Sequence, residues 1–103
     1  MAADGPAAPP PSGTVLVARV TICNRRGLHA RAAAKIVSTA ERYAAAIDVE
    51  AHGQTVSAQS IMGLMMLGAG LGSTLELRAE GWDAKEALEA LSALVESGFH
   101  EQD

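Results

Sequence analysis

Ile47-Asp48-Val49-Glu50-Ala51-His52-Gly53-Gln54-Thr55-Val56-Ser57-Ala58 is the segment from which the architecture can be read. Ile47, Val49 and Ala51 alternate with Asp48 and Glu50, the period of a strand with one face buried. His52-Gly53 occupies the place of a tight two-residue turn, and Val56 and Ala58 resume the alternation on a second strand. Toward the N-terminus, Ala33, Ile36, Val37, Ala40 and Ala44 recur at spacings of three and four, so a helix lays one apolar stripe on a core. Extrapolated back, that helix begins near His29 or Ala30, just past the turn Asn24-Arg25-Arg26-Gly27. Before the turn, Thr14 to Ile22 is apolar and β-branched, with Leu16, Ala18, Val20 and Ile22 on one face of a strand.

Toward the C-terminus, Ser60 is placed to cap a short helix over Ile61-Met62-Gly63-Leu64-Met65-Met66-Leu67, which Gly68, Gly70 and Gly72 end. Leu75, Leu77 and Ala79 alternate with Glu76, Arg78 and Glu80 as a fourth strand. Asp83 with Glu86 has the spacing of a capping box. Behind it Ala84, Ala87, Leu88, Leu91, Leu94 and Val95 form a helical stripe that Gly98 stops.

The order β-α-β-β-α-β-α predicts an α+β open-faced β-sandwich, a four-stranded antiparallel sheet with three helices on one face. Right-handed crossovers that each skip one strand give two interlocked split βαβ units. The organisation expected is a flexible Pro/Ala-rich tail over residues 1–13, one domain over 14–99 and an acidic C-terminal tail over 100–103.

Composition narrows the function. One domain of 103 residues has no room for separate substrate and cofactor domains. A single Phe, Trp and Tyr provide no stacking platform for single-stranded nucleic acid. The lone Cys23 excludes a disulfide framework and a multi-cysteine metal site. No apolar run is long enough to span a membrane and no secretory signal is present, so a cytoplasmic domain is expected. The formal net charge of −4 hides an asymmetry. Arg19, Arg25, Arg26, Arg31, Lys35 and Arg42 face a single acid, Glu41, between positions 19 and 42, whereas ten acids face only Arg78 and Lys85 from position 43 onward. One region attracts anions and the remainder repels them, which favours a compact anion or an acidic protein partner over nucleic acid.

Of the three histidines, His100 lies in the acidic tail and His52 at the hairpin tip. His29 stands between a glycine turn and a helix start, flanked by Arg25, Arg26, Arg31 and Lys35. A helix N-terminus presents unpaired N–H groups and a partial positive charge, a ready site for phosphate. Arg31 can grip a phosphoryl oxygen with its guanidinium, and no carboxylate in this stretch of sequence repels an incoming anion. A helix cap beside a solvated basic face would use the same residues.

Gly27-Leu28-His29-Ala30-Arg31-Ala32-Ala33-Ala34-Lys35 closely resembles the active-site signature of the HPr phosphocarriers of the bacterial phosphotransferase system. Ser57-Ala58-Gln59-Ser60-Ile61-Met62-Gly63-Leu64-Met65-Met66-Leu67 is similar to that family's second signature, around its regulatory serine. The resemblance covers residues 14 to 99. It implies that His29 accepts a phosphoryl group on Nδ1 from phosphorylated enzyme I and passes it to a histidine of an enzyme IIA protein. Arg31 would neutralise the phosphoryl group, and the backbone N–H groups of Ala30 and Arg31 would hold its oxygens. No metal or cofactor is implied on this chain, because enzyme I holds the magnesium and consumes phosphoenolpyruvate.

The resemblance further implies a monomer, with Ser60 a target of HPr kinase/phosphorylase. Ile61, Met62, Met65 and Ala34 would be the docking surface for partners, methionine being a flexible residue suited to several of them. The methionine-rich short helix and the ending Leu94-Val95-Glu96-Ser97-Gly98-Phe99 are most similar to nitrogen-related and alphaproteobacterial carriers. Ala32 departs from the family, which commonly has proline there, and a looser turn after Arg31 is expected. Two other readings use the same fold: a small-molecule-sensing α+β module without phosphotransfer, and a nucleic-acid binder using the arginine cluster. Both leave the two signatures to coincidence.

Overall fold

The computed structural model describes residues 14–101; the expected N-terminal tail and positions 102 and 103 lie outside the described residues. The elements run β1 (Leu16–Thr21), α1 (Ala30–Ala40), β2 (Ala46–Ala51), β3 (Gln54–Ser57), α2 (Ile61–Met66), β4 (Thr74–Glu80), α3 (Ala84–Glu96) and a 3-10 turn (Gly98–His100). The sheet order is β1-β4-β2-β3, antiparallel at every pairing. Each of the two crossovers, through α1 and through α2, therefore skips one strand, as the element order predicts.

The period-2 alternation decides which side of the sheet is dry. Val20, Ile47, Val49, Ala51, Leu75, Leu77 and Ala79 are buried under the helices, beside Ile36, Leu64, Leu91 and Val95. On the opposite face Arg19 donates to Glu76 at 3.2 Å, and Arg78 bridges Glu76 and Glu50. These paired charges keep the bare face polar and hold the Glu76 carboxyl below the usual range, the Arg78 hydrogen bond contributing most. The hairpin closes in two residues because His52 and Gly53 both take positive φ, 54° and 81°, which matches the twist of the strands they join.

Two expected caps resolve differently. Ser60 caps α2, its Oγ accepting the Gly63 N–H at 2.9 Å. Asp83 precedes α3 but does not form the expected capping box. Its Oδ2 instead accepts the Ala44 N–H at 2.8 Å, tying the loop after α1 to the start of α3. The carboxylate is taken by a long-range partner that local spacing does not reveal.

Past α3 the chain reverses through three residues of positive φ in succession: Gly98 at 70°, Phe99 at 57° and His100 at 58°. For a bulky residue such as Phe99 this conformation is strained and needs compensation. Compensation comes from complete burial of the ring and from Lys35, whose Nζ donates to the Phe99 carbonyl. The reversal points Glu101 back toward the start of α1.

Candidate functional site

His29 is the N-cap of α1, extended at φ −83° and ψ −179°, so its ring stands at the open end of the helix. The turn before it is held tightly. Gly27 has φ 67°, and a Cβ there would lie 2.7 Å from the Ala69 carbonyl oxygen and from Gly70 Cα. The Leu28 N–H donates to the Ala69 carbonyl at 2.9 Å, fastening the glycine loop after α2 to the His29 turn. Asn24, buried, donates from Nδ2 to the Gly27 carbonyl at 3.0 Å. These bonds hold the turn that precedes His29; Ala32, in the first turn of α1, is fully buried.

The ring nitrogens have different partners. Nδ1 accepts the Arg31 N–H at 3.2 Å, the side-chain cap of the helix. Nε2 meets Oε2 of Glu101. A carboxylate only accepts and Nδ1 is itself accepting, so the hydrogen sits on Nε2 and the Nδ1 lone pair faces the helix N-terminus. Glu101 Oε1 in turn accepts Asn24 Nδ2 at 3.0 Å. The hydrogen bond from His29 holds the Glu101 carboxyl below the usual carboxylate range. Desolvation opposes the shift, while the Asn24 bond and the charge of Arg26 support it.

Glu101 is the residue that sequence reasoning missed. The stretch around His29 contains no carboxylate, yet the fold supplies one from 72 positions away. Arg31 is exposed, and among the described residues no ion pair takes up its guanidinium. Lys35 belongs to the basic run by sequence, but its ammonium is spent on the Phe99 carbonyl.

The short helix leaves its side chains open to solvent as its lack of a polar face requires. Ile61 and Met65 are about two-fifths exposed, Met62 69% and Met66 73%, while Leu64 is fully buried. Met66 enlarges the apolar patch beyond the residues expected from sequence and follows Met62 by one helical turn, the spacing that would have revealed it; Leu71, in the loop after α2, is also exposed. Ala34 is also exposed, one turn into α1. Among the described residues no group of three or more His, Cys, Asp or Glu could hold a metal ion, and no helix is long and apolar enough to cross a membrane.

Residues 16–97 match the sequence family described as the PTS HPr component phosphorylation site. The chain belongs to the HPr phosphocarriers. It is 47% identical over 81 residues to the phosphocarrier protein HPr of Cupriavidus necator, an alignment covering 79% of this chain and 91% of that one. The phosphocarrier protein NPr of Shewanella violacea is 46% identical over 88 residues, covering 85% and 97%. The crystal structure of HPr-C-His from Thermoanaerobacter tengcongensis superposes with a TM-score of 0.80 at 44% identity, over 85% of this chain and 99% of that one. The HPr resemblance and the α+β open-faced sandwich expected from sequence are thereby borne out.

Within this HPr fold the two signatures come together. The start of α1, carrying His29, Ala30 and Arg31, and the loop after α2 are joined at Leu28–Ala69, so the exposed methionines of α2 lie on an element tied to the histidine turn. Ser60 stands at the other end of that short helix, partly buried.

Proposed function

We propose that this HPr-family chain is a phosphoryl carrier that uses His29. Nδ1 accepts the phosphoryl group from phosphorylated enzyme I and gives it to a histidine of an enzyme IIA protein. One observation carries this reading: the His29 ring caps α1 with Nε2–H turned to Glu101, leaving the Nδ1 lone pair at the positive end of the helix. On attack the Arg31 N–H loses its bond to Nδ1 and becomes available, with that of Ala30, to a phosphoryl oxygen. The Arg31 guanidinium supplies the mobile positive charge. Magnesium and phosphoenolpyruvate belong to enzyme I and need no site here.

Ile61, Met62, Met65 and Ala34, joined by Met66, form the docking surface for both partners; apolar exposure on this scale marks an interaction site. Ser60 is the target of a regulatory kinase, HPr kinase/phosphorylase. A phosphate there would sit on the α2 N-terminus and place negative charge beside the docking face. The chain acts as a cytoplasmic monomer in a nitrogen-type regulatory branch, a placement favoured by the similarity to NPr and by the methionine-rich α2.

Incubation with enzyme I, magnesium and phosphoenolpyruvate, read by intact mass, tests the carrier reading. One acid-labile phosphoryl group is expected on the wild type and none on His29→Ala. Unmodified wild type, beside an enzyme I active on another carrier, would point instead to a small-molecule-sensing module.

A further inference from the structure

The His29 ring has two anchors, and phosphorylation removes one. The Nδ1 lone pair that accepts the Arg31 N–H is consumed when Nδ1 bonds to phosphorus, so Nε2–H to Glu101 is the anchor that remains. Glu101 is built into place. Its side chain is 12% exposed, its second oxygen accepts Asn24 Nδ2 at 3.0 Å, and Asn24 is only 4% exposed and tied to the Gly27 carbonyl. The reversal over Gly98–His100, fixed by Lys35 on the Phe99 carbonyl, delivers it.

We propose that Glu101 is a positioning residue that holds the His29 ring through Nε2–H and compensates the positive charge the ring acquires when Nδ1 carries a phosphoryl group. The proposal rests on His29 being the phosphoryl acceptor. In the accepting step the Nδ1 lone pair forms the N–P bond, and the bond from phosphorus to the donor breaks with its electron pair leaving on the donor. The ring keeps its Nε2 proton throughout and becomes an imidazolium, so its hydrogen bond to Glu101 becomes charge-assisted at both ends. In the delivering step the N–P pair returns to Nδ1 and the ring is again neutral, still protonated on Nε2. The carboxylate thus stabilises the phosphorylated carrier more than the free one and sets how readily the group is given up.

The experiment is the equilibrium of phosphoryl exchange between the full chain and enzyme I, with each phosphorylated species quantified by phosphorus NMR. Glu101→Gln removes the charge and keeps the size. At a fixed phosphorylated fraction of enzyme I, the ratio of phosphorylated to free chain is expected to fall about fivefold, the difference between a charged and a neutral hydrogen-bond partner. A contact between Glu101 and enzyme I would change rates only, because the equilibrium depends on the free species alone. In the phosphorylated variant the His29 Nε2 nitrogen resonance is also expected to move toward the deprotonated position at neutral pH. An unchanged equilibrium and resonance, with His29 phosphorylated in the wild type, overturns the inference and leaves the carrier reading standing. A wild type that takes no phosphate on His29 overturns both.

Discussion

Gly27 and Gly70 are packed backbone to backbone: a methyl group added at Gly27 would stand 2.7 Å from Gly70 Cα and from the Ala69 carbonyl oxygen. This approach fastens the loop after α2 to the turn before His29. Gly27→Ala adds both a left-handed strain, at φ 67°, and an overlap with backbone that cannot move aside. A loss of about 2–4 kcal/mol in urea unfolding is expected. Gly72→Ala, with φ 89° but open space around it, is the comparison, and a loss of about 1–2 kcal/mol is expected there. Equal losses at the two positions would show that the close approach contributes nothing.

Arg31 is exposed, and its guanidinium joins no ion pair among the described residues, so its removal touches function and not folding. Arg31→Ala is expected to leave the unfolding midpoint unchanged within about 0.5 kcal/mol. Phosphoryl transfer from enzyme I, followed by rapid quench, is expected to slow by about two to three orders of magnitude, the range for removing one donor to a developing anionic charge. Arg31→Lys recovers part of that loss, since a point charge remains but the planar fork does not.

Ser60→Ala removes the Oγ that accepts the Gly63 N–H at 2.9 Å. A cost of about 1 kcal/mol is expected in thermal unfolding. Ser60→Asp keeps a capping oxygen and adds a negative charge at the edge of the apolar patch. That variant is expected to keep most of the stability while raising the KM for enzyme I; an unaltered KM would remove Ser60 from the docking face.

Phe99 is fully buried at positive φ and carries the carbonyl that Lys35 holds. Phe99→Ala is expected to cost about 3–5 kcal/mol through the cavity it leaves. The released turn also frees Glu101, so the His29 ring resonances measured below the melting transition should come to resemble those of Glu101→Ala.

The Glu101 carboxyl titrates below the usual carboxylate range because His29, foremost, and Asn24 bond to its ionised form. A group whose value is depressed by folding stabilises the folded state above its unfolded value and loses that contribution as pH falls through its folded one. The His29–Glu101 contact is therefore complete at neutral pH and is lost under acid conditions, below the range where free glutamates protonate. The Glu101 side-chain carbon resonance, followed by NMR titration, is expected to show a midpoint below the usual carboxylate range.

The sequence by itself determined the element order, the antiparallel sheet and its dry face, because alternation and helical spacing are local patterns with periods of 2 and 3.6. It also marked His29 and Arg31, since a basic turn at a helix start can be recognised within a few residues. Three features depended on tertiary structure. Asp83 has the spacing of a capping box, yet its carboxylate goes to the Ala44 N–H, a partner 39 positions away. Lys35 counts toward the basic run but is engaged by the Phe99 carbonyl. Glu101 belongs to a short acidic stretch with no periodicity, and only the left-handed reversal after α3 sets it on His29. Hydrogen bonds between residues far apart in the chain leave no spacing to read, so these partners were decided by how the elements pack.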